Sequence, residues 1–484
     1  MRWFRWRVDP VLLAIVLVAL ALRLQLAATE AYIHDEDGTA IPLSKTISVT
    51  PGQFNLPLRG ENHGALPAYV VRASSTIFGE TRLGYRALHL ILGLATVLLL
   101  ARMARQWHGP QAAHWTAGLF AFNEYYLTIS SRVTAHVPHL FLIASALYLF
   151  SRFLVTNRAW YVYAAGVAAG LAFYCKEHSA LLLPVFFLTL LRAPYRANLR
   201  RPHVYLACAA FALVIAPDVL WNLRTNPQTA RVAYSDQPVT HSTYSNHLAR
   251  VGGLGLSPYP AMFYARDAVQ AAHVAVTGQR IQDDTPEYNA MSPAVGILLL
   301  AGVILTTLRR STRGESGGLL VVAFWFVFLF FTFIKKGQSV ARLDPASWIW
   351  VESTLIPATL MAGARLAEFS GVTRAIAWAY GGAVLLYSGA VPLGRLAANA
   401  RYAAEETVAA ASHLVQVAAS SSVVNVRERP LWFLGLAWCV GIGLGLVVGF
   451  LCGWFLRTRR ADPPVSSRSP REESGPRGAG DSSA

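Results

Sequence analysis

Apolar residues run through this chain in long blocks broken by short clusters of arginine. The first block, VLLAIVLVALALRLQLAA at 11–28, carries a single cation, Arg23. A helix needs about 20 mostly apolar residues to cross a bilayer. By that measure the pattern predicts spans near 11–28, 84–104, 111–129, 137–155, 159–174, 178–192, 203–221, 291–308, 317–334, 348–366, 374–392 and 430–456. That makes about twelve spans, of which 159–174 and 178–192 are short.

The arginines give these spans a direction. Arg2, Arg5 and Arg7 precede the first block, and Arg102 and Arg105 follow the second. Arg152 and Arg158 come next, then Arg192, Arg196, Arg200 and Arg201, then Arg309, Arg310 and Arg313. Arg365 and Arg374 flank a later loop, and Arg457, Arg459 and Arg460 close the last block. If every span is real, all fall on one side, and cytoplasmic loops are the ones enriched in Lys and Arg. Both termini are then expected in the cytoplasm. The long segments 29–83, 222–290 and 393–429 are expected outside. Within the first of these, Leu66, Tyr69, Val70, Ala73 and Ile77 recur at helical spacing, which predicts an amphipathic helix at the outer interface. The Ala-rich segment 393–429 is also expected to be helical. Residues 1–460 read as one transmembrane domain. Residues 461–484, rich in Pro, Ser, Gly and Arg, read as a disordered cytoplasmic tail.

Composition sharpens the class. Hydrophobic residues make up 54% of the chain and charged ones 14%, against about a quarter charged in soluble domains. The expected fold is an all-α polytopic membrane protein. The net charge of +16 sits at the ends of apolar blocks rather than on one amphipathic face, so nucleic acid is not the expected partner. Cys175, Cys208, Cys439 and Cys452 lie in or beside apolar segments with no CxxC spacing, so neither a zinc site nor a disulfide framework is expected from them. No P-loop, GxSxG or HExxH motif is present. The GxGxG in the last block lacks a βαβ setting and is no dinucleotide loop. Gly441, Gly445, Gly449 and Gly453 recur every fourth residue there. They offer a smooth face for packing within the chain or against another copy.

Candidate chemistry begins at AYIHDEDG, residues 31–38, where Asp35, Glu36 and Asp37 follow the first span directly. Such acids are more commonly helix caps in a solvated loop; the alternative is a general base. Carboxylates that are partly desolvated and adjacent to one another are stronger bases. All four lysines, Lys45, Lys176, Lys335 and Lys336, fall on the outer side of the expected topology, against the usual bias. They are read either as snorkelling at the interface or as neutralising a lipid phosphate. In YCKEHS, residues 174–179, Lys176 and Glu177 join two apolar blocks with almost no loop, near membrane depth, where charges are costly and usually functional. A local salt bridge between them is the alternative. ISSRVTAHVPH places Arg132, His136 and His139 on an outer turn. A histidine pair so spaced is a weak metal signal beside packing or capping.

The order of these pieces resembles a known family. The acidic stretch is followed by NHGALPAYVVRASSTIFGETRLGYRALHLILG at 62–93, the SSR turn near 130, the CKE turn near 175 and APDVLWNLRTNP near 216. Together they resemble the membrane glycosyltransferases of the GT-C class, in particular the protein O-mannosyltransferase and lipid A aminoarabinose transferase branch. The resemblance covers roughly residues 10–230 by motif and the rest by helix pattern. It implies transfer of a sugar from a polyprenyl-phosphate donor to a protein, lipid or polysaccharide acceptor outside the membrane, with inversion. Asp35 and Glu36 match the family's acidic pair, which binds or deprotonates the acceptor; Asp37 is an extra acid. His63 to Leu66, HGAL, match the family's HPPL-like stretch beside the donor lipid. Lys176 matches a lysine near the phosphate, Trp221 and Asn222 match its WN, and Arg342 loosely matches a late phosphate contact. Arg132 is expected to support the donor and Glu177 the acceptor. Gly64 and Ala65 replace the usual prolines, and the acid often found after the SR turn is missing near His136. No metal or nucleotide cofactor is implied. The expected location is a bacterial inner or plasma membrane. The rival class is a polytopic transporter or lipid flippase. Twelve helices would suit it, but no internal repeat supports it.

Overall fold

The computed structural model describes residues 9–30, 35–58, 64–224, 251–254, 259–277, 291, 293–309, 315–336 and 351–386. The first span forms α1 (Pro10–Thr29). Asp9 caps it, accepting from the backbone N–H of Val11 at 3.2 Å and of Leu12 at 3.3 Å. Pro10 follows at the first position, where a missing N–H costs nothing. Val11, Leu13, Leu17, Val18 and Leu24 are exposed, as side chains on a lipid-facing helix are.

After α1 the acidic stretch winds into a short π-helical turn, Asp35–Ala40, and then α2 (Ile41–Thr46). The predicted amphipathic segment is α3 (Leu66–Phe78). Its Ala68, Val71, Ser74 and Ser75 are buried, while Ala73 and Ile77 of the predicted stripe face away from the bundle. The Ser74 hydroxyl donates to the Gly84 carbonyl at 2.6 Å and accepts from the Leu88 N–H at 3.0 Å, which seats α3 on the start of α4 (Arg82–His108).

Gly109, with φ +89°, and Pro110 turn the chain from α4 into α5 (Pro110–Ala121). The single span predicted at 111–129 is in fact broken: α5 stops at Ala121, and α6 (Glu124–Ser130) starts on an Asn123 cap. Asn123 Oδ1 accepts from the Tyr126 N–H at 3.1 Å, while Arg23 Nη2 takes the Ala121 carbonyl at 2.9 Å. Two helix ends are thereby satisfied inside an apolar stretch. Arg23 also donates to Ser130 Oγ at 2.8 Å, which accounts for a cation within the first span.

Then follow α7 (His136–Thr156), α8 (Ala159–Phe173), a 3₁₀ turn at Glu177–Leu181, α9 (Leu182–Leu190), and α10 (Pro202–Arg224) after a second 3₁₀ stretch at Ala193–Arg200. Beyond these lie α11 (Tyr259–Thr277), α12 (Pro293–Leu308), α13 (Glu315–Phe333), α14 (Leu355–Glu368) and α15, residues 371–386. In the described part of the span predicted from 348, a 3₁₀ turn over 351–354 leads into helix at Leu355. One short antiparallel pairing, Val251–Leu254 with Ile334–Lys336, departs from the all-helical expectation.

Among the described residues, four helices are long and apolar enough to cross a membrane: α1, α4, α7 and α10 over Pro202–Trp221. Four shorter apolar segments accompany them, Ala159–Phe173, Glu177–Leu190, Ala294–Leu308 and Gly317–Phe333. The span expected at 430–456 with Gly441, Gly445, Gly449 and Gly453, the segment 393–429 and the tail 461–484 lie outside the described residues. The core runs continuously through the bundle; Val97, Leu100, Phe120, Leu140, Leu147 and Phe150 are buried in it, and Phe150 stacks on Phe186 at 4.1 Å.

Candidate functional site

The acidic turn is fastened by a buried ion pair. Glu36, fully buried, accepts from Arg86 twice: Nε to Oε1 at 2.7 Å and Nη2 to Oε2 at 2.6 Å. The Val133 N–H also donates to Glu36 Oε1 at 2.8 Å. Arg86 Nη1 continues to the carbonyls of Ala27, 2.7 Å, and Glu30, 3.0 Å, at the end of α1. Beside them Arg132 Nε donates to Glu30 Oε2 at 2.8 Å. A buried carboxylate and guanidinium are tolerated when both are fully hydrogen-bonded, and the two-pronged geometry is the strong form of such a pair. The exit of α1, the acidic turn, the start of α4 and the SSR turn are thus one unit. Asp35 and Asp37 flank Glu36 in the backbone of that turn.

A second polar cluster lies at the YCKE turn. Lys176 is buried, with Nζ 2.8 Å from His136 Nδ1 and 3.3 Å from Glu352 Oε1. Glu352, on the turn before α14, is fully buried. It accepts from His139 Nδ1 at 2.7 Å and from the Tyr125 hydroxyl at 2.6 Å, and it also contacts His136 Nδ1. His139 Nε2 in turn meets Ser179 Oγ at 2.8 Å.

The two clusters share a stretch of chain. Within 130–139, Arg132 and Val133 hold Glu30 and Glu36, while His136 and His139 hold Lys176 and Glu352. A second joint is Gly64 of HGAL: a Cβ there would lie 2.4 Å from the Tyr174 carbonyl oxygen. That close approach requires glycine and accounts for the departure from the usual proline.

The remaining candidates distribute as follows. Glu177 opens the 3₁₀ turn and is half-buried, and Lys45 is exposed at the end of α2. Asn222 continues α10 past Trp221. His63 and Arg342 lie outside the described residues. Sequence reasoning missed Arg86, Tyr125, Ser179 and Glu352. The usable signal was a lone charge inside an apolar block, RALHLILG for Arg86 and WIWVEST for Glu352. An apolar groove of about 270 Å³ between α12, α14 and α15 is lined by none of these residues.

Comparison with known proteins agrees with the resemblance. Residues 62–221 match the dolichyl-phosphate-mannose-protein mannosyltransferase family, from beside HGAL to the Trp of APDVLW; Asp35 and Glu36 precede the match. A lipid A galacturonosyltransferase, RgtD, of Rhizobium johnstonii is 27% identical over 178 residues, 37% of this chain and 37% of that protein. An uncharacterised protein of Aquifex aeolicus is 30% identical over 151 residues, 30% of each. The chain thus matches well under half the length of these curated relatives. The crystal structure of ArnT from Cupriavidus metallidurans bound to undecaprenyl phosphate superposes with a TM-score of 0.53 at 16% identity, over 91% of this chain and 76% of ArnT. Fold, family match and relatives together support the class of GT-C membrane glycosyltransferases.

Proposed function

We propose that this protein transfers a sugar from a polyprenyl-phosphate donor to an acceptor on the extracytoplasmic face of a bacterial inner or plasma membrane, both termini being cytoplasmic. Asp35 takes the proton from the acceptor hydroxyl or amine. The acceptor attacks the anomeric carbon as the carbon–oxygen bond to phosphate breaks on the opposite side, and the configuration inverts. Polyprenyl phosphate leaves with the electron pair, and Lys176 and Arg342 balance its charge. His63 and Arg132 flank the donor. Glu36 holds the acidic turn through Arg86, and Asp37, Glu177 and Asn222 line the acceptor side. The sugar–phosphate bond supplies the driving force, so the step draws on no nucleotide. The acceptor is an envelope lipid, protein or polysaccharide; the lipid A galacturonosyltransferase among the similar proteins favours the lipid.

The observation that carries this reading is the stretch 130–139, which makes direct contacts with both the Glu36 turn and Lys176. Contacts from one stretch to both the acidic turn and Lys176 support the reading that a base and a phosphate-neutralising cation act together, as a single-displacement transfer needs. Transport, the rival reading, gives no role to an acidic turn fastened in this way.

The test is transfer by purified protein from a polyprenyl-phosphate sugar. Asp35→Asn and Lys176→Ala are each expected to lower the rate by about 10²–10³, Lys176→Ala with a weakened dependence on donor concentration. Wild-type rates in folded Asp35→Asn would remove the base, and unchanged donor dependence would remove Lys176 from the phosphate.

A further inference from the structure

The Lys176 cluster has a side that the transfer step does not use. His139, His178 and Glu352 each present one ligand atom, and the three atoms lie within 4.8 Å of one another. Their rings and carboxylate come from three separate segments: the first turn of α7, the 3₁₀ turn after Lys176 and the turn before α14. His178 Nε2 is buried and has no hydrogen-bond partner among the described residues. A buried imidazole nitrogen left unpaired is costly unless something binds it. The His139 and His178 rings stand edge to face, with centroids 4.8 Å apart and planes at 78°.

We propose that His139, His178 and Glu352 bind a divalent transition-metal ion of the zinc type. Two imidazoles and one carboxylate form a donor set that suits Zn²⁺, which leaves a fourth position open. The partners around the donors fit as well. The far nitrogen of His139 is held by Ser179 Oγ at 2.8 Å, and the second Glu352 oxygen by the Tyr125 hydroxyl at 2.6 Å. Ligating histidines and carboxylates are ordinarily fixed by such outer contacts. Donors on a tetrahedral Zn²⁺ stand about 3.3 Å apart, from Zn–N and Zn–O bonds of about 2.0 Å. Loading therefore opens the 2.7 Å contact between His139 Nδ1 and Glu352 Oε1 and draws His178 in. The Lys176 ammonium, 3.3 Å from that same oxygen, moves toward His136, its neighbour at 2.8 Å. The ion would tie α14 to α7 and to the YCKE turn, a cross-link between the early and late halves of the chain. This inference stands apart from the transfer reading and uses no step of it.

The experiment uses the full chain in detergent or nanodiscs, freed of metal and then equilibrated with Zn²⁺ or Co²⁺. Elemental analysis is expected to give about one Zn²⁺ per chain, and the Co²⁺ form the intense visible absorption of a four-coordinate ion. His178→Gln and His139→Gln are expected to lose the stoichiometric ion. Ser179→Ala, which removes only the outer contact, is expected to weaken Zn²⁺ binding by about 10- to 100-fold. His203→Ala, at the far end of α8 and α10, is expected to keep the ion. Absence of bound Zn²⁺ in wild type, a Co²⁺ spectrum without the four-coordinate signature, or full retention in His178→Gln would each overturn the site. The wild-type spectrum decides if a variant fails to fold. Sugar transfer, assayed separately, can fail without touching this result.

Discussion

Arg86 is a buried cation near the start of the second span, and its guanidinium joins more of the acidic corner than any carboxylate does. It reaches Glu36 with two nitrogens and the end of α1 with the third. Removing one partner of a buried pair leaves an uncompensated charge and costs about 3–5 kcal/mol. Lysine cannot reproduce the fork, because an ammonium is a point charge with no planar pair of donors. Arg86→Lys is therefore expected to lower thermal stability in detergent and to abolish most transfer. The double variant Arg86→Met, Glu36→Leu separates the two effects, since apolar replacement of a buried pair is often neutral for stability. It is expected to recover the melting temperature while transfer stays low. Full transfer in the folded double variant would show that the Glu36–Arg86 pair does not position the acidic turn.

At the scale of elements, apolar block length was legible and block continuity was not. The spans predicted at 11–28, 84–104, 137–155 and 203–221 match α1, α4, α7 and α10 closely, the last despite Pro217 within it. The block at 111–129 failed for a tertiary reason. Asn123 is only a cap if the preceding carbonyls find another donor, and that donor is Arg23, about a hundred positions away in the chain. The acidic turn and the CKE lysine were visible as charges at span ends. Glu352 was not, because its meaning comes from histidines on α7 and a tyrosine on α6 that no local pattern links to it. Gly64 shows the same limit: as a letter it is a departure from the usual proline, and only the Tyr174 backbone beside it gives the reason. A methyl group at 2.4 Å from a backbone oxygen cannot be relieved by a rotamer change, so Gly64→Ala must push HGAL away from the YCKE turn. A displacement on the scale of 1 Å costs about 10²-fold in rate. Gly64→Ala is expected to reduce kcat/KM by about that factor with helix content retained, as measured by circular dichroism. An unchanged rate would show that the two turns need not touch.

The whole molecule sorts its charges by end. At one end, Asp9 of α1 meets His114 of α5 at 2.8 Å and Arg105 of α4 at 3.8 Å, and Arg201 meets Asn157 between α7 and α10 at 3.0 Å. Arg309 and Arg365 share Glu368 at the ends of α12 and α14. At the other ends of those same helices stand Glu30, Arg86, His136 and Glu352. α4, at 27 residues, spans about 40 Å at 1.5 Å per residue, enough to hold the two sets on opposite sides of a bilayer. The proposed orientation puts the arginine-rich end in the cytoplasm, in line with the positive-inside bias, and Glu36 and Lys176 outside. Orientation follows from labelling of single cysteines in a background lacking the native ones. In intact cells, a membrane-impermeant maleimide is expected to reach Lys45→Cys, exposed on α2, and to reach Arg105→Cys only after the membrane is opened. The reverse pattern would put the acidic turn in the cytoplasm, where a sugar presented on the outer leaflet could not meet it.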